Sequence, residues 1–410
     1  MTASLSSRIK AEARQLGFEL VGVAPLRASE HAAFYRRWLE QGHHGSMDYL
    51  AREDAVDARL DPTSRWPELR SAVVVGHFYD GTIPSSPRLP VSLSPSEKKA
   101  EGHPEHRPGA TSPAYADFAR YAKGRDYHRV VKKRLLALLH WLENETGEAL
   151  PAARAYVDAG PVLERELARR AGLGWFGRNT MLIHPRKGSY FLLGELLLPL
   201  ELEYDEPFEA DRCGSCRACL DACPTGALLG RDADGAPVMN ANLCISYLTI
   251  EHRGPIPEEL RPAMGNHVFG CDVCQEVCPF NNPRFASGEV DREYRVRPEQ
   301  PNSSSNSSSN SKIGGVGSRR SPLLPGTEAP SLVSLMRMTR EEWDRWTRGS
   351  AIRRAAYAAF KRNVAVVMGN WLASMEEPPE AAVAVLREAV NEEEPLVREH
   401  AAWALERSGW

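Results

Sequence analysis

Four cysteines at Cys213, Cys216, Cys219 and Cys223, followed by Pro224, follow the spacing C-x2-C-x2-C-x3-C-P without deviation. That spacing belongs to bacterial ferredoxins, where three thiolates hold one 4Fe–4S cubane and the fourth reaches across to a second. A second run, Cys271, Cys274, Cys278 and Pro279, matches only the later part of the pattern, with Val268 where its first cysteine belongs. All eight cysteines lie between positions 213 and 278, and Cys244 is the thiol left to fill the vacancy. The spacing therefore predicts two clusters: Cys213, Cys216, Cys219 and Cys278 on the first, and Cys223, Cys244, Cys271 and Cys274 on the second. Structural zinc also takes four cysteines, but the x2, x2, x3 run is not a finger or ribbon spacing. Inert buried thiols are the remaining alternative.

A two-cluster module accounts for a small part of 410 residues, so further domains are expected. No uninterrupted apolar run reaches the length of a membrane span, and the longest apolar stretch, 191–200, contains Gly194 and Glu195. It reads as a buried strand pair or a strand and turn. Residues 1–18 hold no basic segment leading into an apolar core and no twin-arginine signal. A cytoplasmic location is expected, without a membrane partner, where thiols stay reduced and disulfides are not expected.

Upstream of the cysteines the pattern mixes strand and helix. Residues 71–76 read as a short buried strand and 127–143 as an amphipathic helix carrying Val131, Leu135, Leu138 and Leu142 on one face. Residues 152–157 read as a strand, and 162–170 as a helix stopping at Gly172. The stretch 81–113 reads as an inserted loop, and the low-complexity run 302–310 as a linker too polar to pack. Beyond it, Ile352-Arg353, Ala356 and Ala359-Phe360 return 45 residues later as Val397-Arg398, Ala401 and Ala404-Leu405, with Pro378 and Pro395 at helix starts. That period suggests HEAT-like helical repeats.

Residues 121–128 (YAKGRDYH), 157–165 (VDAGPVLER), 171–180 (AGLGWFGRNT) and 244–251 (CISYLTIE) occur in order around the first cysteine run. Together they closely resemble the epoxyqueuosine reductases, over roughly residues 10–290, with the helical tail matching more loosely. The resemblance implies cobalamin beside the second cluster, electrons passing from cluster one to cluster two to cobalt, and removal of the epoxide oxygen of epoxyqueuosine at the wobble position of a tRNA. It also implies an electron-donor protein as a partner. No complete D-x-H-x-x-G cobalamin motif is present: Asp126-Tyr127-His128 begins one, but Val131 stands where glycine belongs. The resemblance expects no cobalt ligand from that motif.

The resulting expectation is an α+β chain: a mixed α/β cobalamin-binding domain over 1–205, a ferredoxin-like domain over 206–290, a linker over 291–325 and a HEAT-like tRNA-binding domain over 326–410. Asp158 matches the family's proton donor through its VDAGP context. A carboxyl buried beside an apolar cofactor can keep its proton near neutral pH and protonate the opened epoxide oxygen. The plain alternative is that Asp158 caps the helix starting at Pro161 or Val162. The resemblance places Arg178 and Asn179, and less securely Arg59 and Tyr121, at the cofactor. Gly172, Gly174 and Gly177 around Arg178 read as a turn. Ser246 and Asp272 adjoin cluster-two ligands and either face the corrin or cap local backbone. His128 and His184 lack a second ligand at metal spacing and read as structural.

Between Arg337 and Arg362 eight basic residues face three acidic ones, a local excess of +5, whereas 376–406 is acidic. Arg353, Arg354, Lys361 and Arg362 are the expected tRNA contacts, and 120–134 supplies a second basic run at the rim of the site. Charge runs on helices are also commonly plain solvated faces. Two other functions share parts of this design: a corrinoid reductive dehalogenase, and a ferredoxin-type carrier whose first 200 residues only dock a partner.

Overall fold

The computed structural model describes residues 3–79, 116–282 and 331–410. The expected loop over 81–113 and linker over 302–310 lie outside the described residues. The N-terminal region runs α1 (Leu5–Gln15), β1 (Leu20–Pro25), α2 (Ala32–Glu40), α3 (Glu53–Leu60), α4 (Pro62–Arg65), β2 (Ser71–Phe78), β3 (Asp117–Phe118), α5 (Tyr127–Thr146), β4 (Arg154–Tyr156), α6 (Glu164–Arg170), β5 (Trp175–Phe176), β6 (Leu182–Ile183) and β7 (Phe191–Leu198).

Four of these strands form a sheet in the order β1-β2-β7-β4, with every neighbour antiparallel. β2 is buried at every position, which explains its unbroken apolar run: a central strand covered on both faces has no solvent side to alternate with. On one face Ile9 and Ala13 of α1 and Val131, Leu135 and Leu138 of α5 pack on Val73, Val75, Leu196 and Leu198. On the other, Leu167 and Ala168 of α6 and its C-cap Ala171 meet Ala72, Val74 and Leu197. Two glycines set these distances. A Cβ on Gly22 would lie 2.1 Å from the Ala171 carbonyl oxygen, and one on Gly194 2.8 Å from Val131 Cγ1.

The apolar stretch after residue 190 is one eight-residue strand, β7, rather than a strand pair or a strand and turn. Gly194 is there for the close approach of α5, and Glu195 points into the interior, so neither residue breaks the strand. α6 begins at Glu164, two residues later than the sequence suggests.

The cysteine region contributes α7 (Ala218–Asp221), a hairpin of β8 (Leu228–Arg231) and β9 (Pro237–Met239), α8 (Ile245–Ile250), β10 (His267–Phe269) and α9 (Val273–Glu276). β10 pairs in parallel with β3, which stitches this region to the first. The tail comprises α10 (Leu332–Arg337), α11 (Arg340–Trp346), α12 (Tyr357–Leu372), α13 (Glu380–Ala389) and α14 (Pro395–Ser408). The 45-residue echo falls on α12 and α14, which touch so closely that a Cβ on Gly369 would lie 2.8 Å from Ala404 Cα. The two copies differ in backbone: the first starts in a 3-10 turn and enters α12 through Ala356 at φ 61°, whereas the second runs unbroken along α14. No helix among the described residues is long and apolar enough to cross a membrane.

Two of the four expected RNA contacts prove to be interior. Lys361 is 2% exposed and donates to the Met336 carbonyl and, at 2.8 Å, to Glu392. Arg362 is fully buried and donates to the carbonyls of Leu248 (2.6 Å), Gly254 (2.5 Å) and His252 (3.0 Å). The end of α8 leaves carbonyls without helical partners, and a guanidinium with five N–H groups can satisfy several at once. Burial pushes the Arg362 pKa down to about 9. Asn363 beside it donates to Thr249 O (2.8 Å) and Val268 O (3.0 Å). These side chains bind the tail to the segment that carries Cys244 and Cys271.

Replacing Arg362 by methionine fills similar space but strips the donors from these carbonyls. The expected loss is about 3 kcal/mol or more, read as a lowered denaturation midpoint. Arg353→Ala, which removes an exposed ion pair, is expected to cost roughly 1 kcal/mol or less.

Candidate active site

The eight thiols are free and fall into two groups. Burial, and then Cys213, Cys278 and Cys216, push the Cys219 thiol up to about 11. Burial also raises Cys278, which faces Cys213 and Cys216. In the second group burial pushes Cys244 up to about 11, with Cys271 and Cys223 adding to the shift. Cys274 rises well above the ordinary thiol value through burial and then through Cys271, Cys244 and Cys223. Each group brings four soft donors together, a donor set suited to a polynuclear iron–sulfur group.

The turn around Arg178 joins the two groups. Trp175 Nε1 donates to Cys213 Sγ at 3.5 Å, and Arg178 donates to the Gly214 carbonyl at 2.7 Å. Asn179, buried, donates to the Cys274 carbonyl at 3.1 Å. Ser246 Oγ accepts the Cys271 amide at 3.1 Å, and the buried Asp272 accepts the Arg120 amide at 2.7 Å. Burial pushes the Asp272 carboxyl up to about 6 against that bond. Arg178, Asn179 and Ser246 thus bind cysteine-bearing loops. Tyr121 sits among the rings of Tyr127 (5.8 Å), Phe269 (6.2 Å) and Tyr79 (6.4 Å). Its pKa is raised by burial first and then by Asp158 and Asp272, which flank it.

A cleft of about 430 Å³ opens between the N-terminal region and the β8–β9 hairpin. Tyr35, Trp38, Met47, Leu163, Phe176 and Met239 give it largely apolar walls, and Arg59, Asp158, Glu164 and Thr180 add polar groups. Arg59 is buried and donates to the Ala55 carbonyl at 3.3 Å. Asp158 and Thr180 hold left-handed backbone, φ 53° and 63°, which is costly for residues with a Cβ and gathers at functional sites. Thr180 follows Asn179, so the cleft wall is one residue from the contact with Cys274.

Asp158 does not cap α6, whose N-cap is Leu163. Its Oδ2 accepts the Tyr127 hydroxyl at 2.6 Å and lies 3.8 Å from His128 Nε2, while its amide donates to Glu164 Oε1 at 2.6 Å. Nor is it the buried carboxyl that the sequence suggests, because its side chain is 63% exposed. Behind it stand two glutamates, Glu164 part-buried on the cleft wall and Glu195 in the interior. Glu195 is fully buried, neither of its oxygens has a hydrogen-bonding partner among the described residues, and Glu164 is the acid beside it. Burial, followed by Asp158, pushes Glu164 up to about 7, and burial, followed by Glu164, holds Glu195 well above the ordinary carboxyl range. The sequence signal for this pair was a lone carboxylate inside an apolar run. His128 joins the site rather than standing apart: against burial, Asp126, Asp158 and Glu164 hold its pKa above the usual histidine value. His184 lies elsewhere, with its Nδ1 accepting the Arg186 amide at 3.2 Å.

Arg354 reaches the cleft mouth from the tail. It grips Glu251 with two bonds (2.8 and 2.9 Å), and its guanidinium lies 5.9 Å from the ring of Tyr49, another lining residue. Arg353 bonds Asp344 at 2.6 Å and is half exposed. In the second basic run Arg120 is tied to Glu276 at 2.8 Å, whereas Arg129, Lys132 and Lys133 of α5 are exposed.

Comparison with known proteins gives this geometry a family. A family model described as "4Fe-4S double cluster binding domain" matches residues 212–281, and one described as "Epoxyqueuosine reductase QueG, DUF1730" matches 59–159. The epoxyqueuosine reductase of Pseudomonas aeruginosa is 38% identical over 99% of this chain and 95% of its own length. That of Escherichia coli is 34% identical over 98% and 89%. A crystal structure of epoxyqueuosine reductase with an epoxyqueuosine-modified tRNA-Tyr stem loop superposes with a TM-score of 0.73, at 25% identity, over 99% of this chain and 90% of that one. The chain belongs to the epoxyqueuosine reductase family.

Proposed function

We propose that this chain reduces epoxyqueuosine to queuosine at the wobble position of a tRNA, with Asp158 as the acid beside the epoxide. The observation that carries the reading is the placement of Asp158: an exposed carboxyl on strained backbone, in a cleft whose wall continues directly into the Cys274 loop. Net reduction breaks both C–O bonds of the epoxide, forms a C=C bond and releases water, consuming two electrons and two protons.

Cys213, Cys216, Cys219 and Cys278 are the assigned ligands of one 4Fe–4S cluster, and Cys223, Cys244, Cys271 and Cys274 those of the other. The apolar aromatic walls of the cleft suit the body of a cobalamin, which Tyr35, Trp38, Phe176 and Met239 would contact, with Arg59 at its polar edge. Bound there, these groups would supply low-potential electrons for the reduction. The rest falls to the chain. Arg178, Asn179 and Ser246 fix the cysteine loops, and Tyr121 and Asp272 pack between those loops and the acid. Tyr127 and His128 orient the Asp158 carboxyl and stabilise its charge once the proton has left.

The RNA would lie over the cleft mouth. Arg353, Arg354 and the exposed cations of α5 fit its phosphates, and the Asp126 amide bonded to the Gly349 carbonyl at 2.8 Å holds these surfaces side by side. This divides the chain into a catalytic domain over 1–205, a cluster domain over 206–290 and a HEAT-like helical RNA-binding domain over 326–410. An electron-donor protein would reduce cluster one.

Anaerobic incubation of the reconstituted protein with epoxyqueuosine-containing tRNA, cobalamin and a reductant should yield queuosine; reduction of a halogenated organic in its place would overturn the assignment. Asp158→Asn should bind cobalamin normally, by its visible spectrum, yet lose about 100-fold or more in turnover, the scale of a general acid. Cys244→Ser should lower iron content and alter the reduced-cluster electron paramagnetic resonance spectrum while sparing the signal of cluster one. Replacing Arg353, Lys132 and Lys133 with alanine should weaken tRNA binding and flatten its log–log salt slope by about 0.7 to 0.9 per lost phosphate contact.

A further inference from the structure

The net reaction needs two protons, and Asp158 holds only one. Behind it stand Glu164, on the cleft wall, and Glu195, at the centre of the sheet opposite Val74 of β2 and Tyr156 of β4. Neither oxygen of Glu195 receives an N–H or hydroxyl donor among the described residues, and the acid beside it is Glu164. A fully buried carboxylate without a donor is costly to ionise, and two carboxyls side by side cannot both stay ionised cheaply, so one proton stays with the pair. The charged and titratable groups facing the pair are Asp158 and Arg165, with Tyr127 and His128 beyond Asp158. The Arg165 guanidinium is turned to the Thr180 carbonyl at 2.9 Å.

We propose that Glu164 and Glu195 share one stored proton, which passes through Glu164 to Asp158 in each turnover, so that three carboxyls supply both protons of the reaction. The inference rests on Asp158 being the acid. In the first half, one C–O bond breaks and the oxygen takes the Asp158 proton, leaving a hydroxyl. The stored proton then restores Asp158. In the second half the other C–O bond breaks, C=C forms, and the departing oxygen takes this second proton to leave as water. The external reductant supplies both electrons, and solvent reloads the pair afterwards. The Asp158 amide bonded to Glu164 Oε1 keeps donor and acceptor together, and the left-handed backbone at 158 permits that turn. Glu195 is a positioning residue: it touches no substrate and acts by keeping the proton on Glu164.

Glu195→Gln keeps the shape but gives Glu164 an N–H donor, which favours its ionised form. In single turnovers of the holoenzyme, the variant should keep its affinity for tRNA and move the basic limb of the pH–rate profile about one unit lower. That is about tenfold slower on that limb, with the deficit shrinking towards acid pH. A second readout needs no cofactor. A carboxyl with a raised pKa stabilises the fold fully below its unfolded value, and that stability is lost as pH rises through the folded value. For Glu164 this window runs from about 4.5 to about 7. The wild-type melting temperature should therefore fall across that window, and the fall should be smaller in Glu195→Gln. Infrared titration of the wild type should show a protonated carboxyl persisting to neutral pH; this measurement, with Glu164→Gln, stands if Glu195→Gln does not fold. Superimposable pH profiles, or no such carboxyl band, overturn the inference. A fully active Asp158→Asn overturns the acid assignment itself; a slow Asp158→Asn alongside a wild-type profile in Glu195→Gln removes only the proton store.

Discussion

Thiol ligands are only as well placed as the loops that carry them, and here those loops hold little regular structure. α7 and α9, two of the helices among the cysteines, are four residues each, too short to fix anything by themselves. The order of these loops comes from side chains that satisfy their backbone: Arg178 on the Gly214 carbonyl and Asn179 on the Cys274 carbonyl from the N-terminal region, and Ser246 of α8 on the Cys271 amide. The turn carrying Arg178 and Asn179 also forms the cleft wall through Thr180. One strained turn therefore registers both thiol groups against the cleft, and a small shift in it would move all three.

The same economy governs the carboxyls. Asp158 is open to the cleft and oriented by Tyr127, Glu164 is part-buried on the cleft wall, and Glu195 is withdrawn from water. A buried carboxylate without donors is expensive, so the fold bears a pair whose lower-energy state is the protonated one. Three acids of different exposure thereby share one site, and differing environments are what separate carboxyl roles in enzymes.

Much of this was legible in the sequence, and the failures share a cause. Cysteine spacing is a direct geometric code, and the strand at Ser71 and the helix at Tyr127 advertise themselves by burial pattern. Charge is a poorer guide, because what a charged group does depends on depth, which a sequence does not state. Lys361 and Arg362 read as surface cations, but α12 is buried on nearly all sides, so its charges end on carbonyls and Glu392. Glu195 looked like a break in a strand and is the most deeply placed acid of the site. Asp158 has the composition of a cap, yet helix α6 starts too late to use it.

Depth also sorts the arginines of the tail. Arg362 faces inward, on the carbonyls at the end of α8, and Arg354, eight positions earlier, faces the cleft mouth through Glu251 and Tyr49. Glu251 immediately follows α8, the helix whose N-cap is Cys244. The tail therefore grips both sides of one short segment, whose first residue is a thiol of the second group. A polyanion drawn to Arg354 must compete with Glu251 for it, and the exposed ion pair yields at little cost. Arg362 and Asn363 remain bonded beneath, so the cysteine loop keeps its position while the surface above it exchanges partners. Separating a rigid buried contact from an exchangeable exposed one lets the same helix support the electron path and meet the substrate.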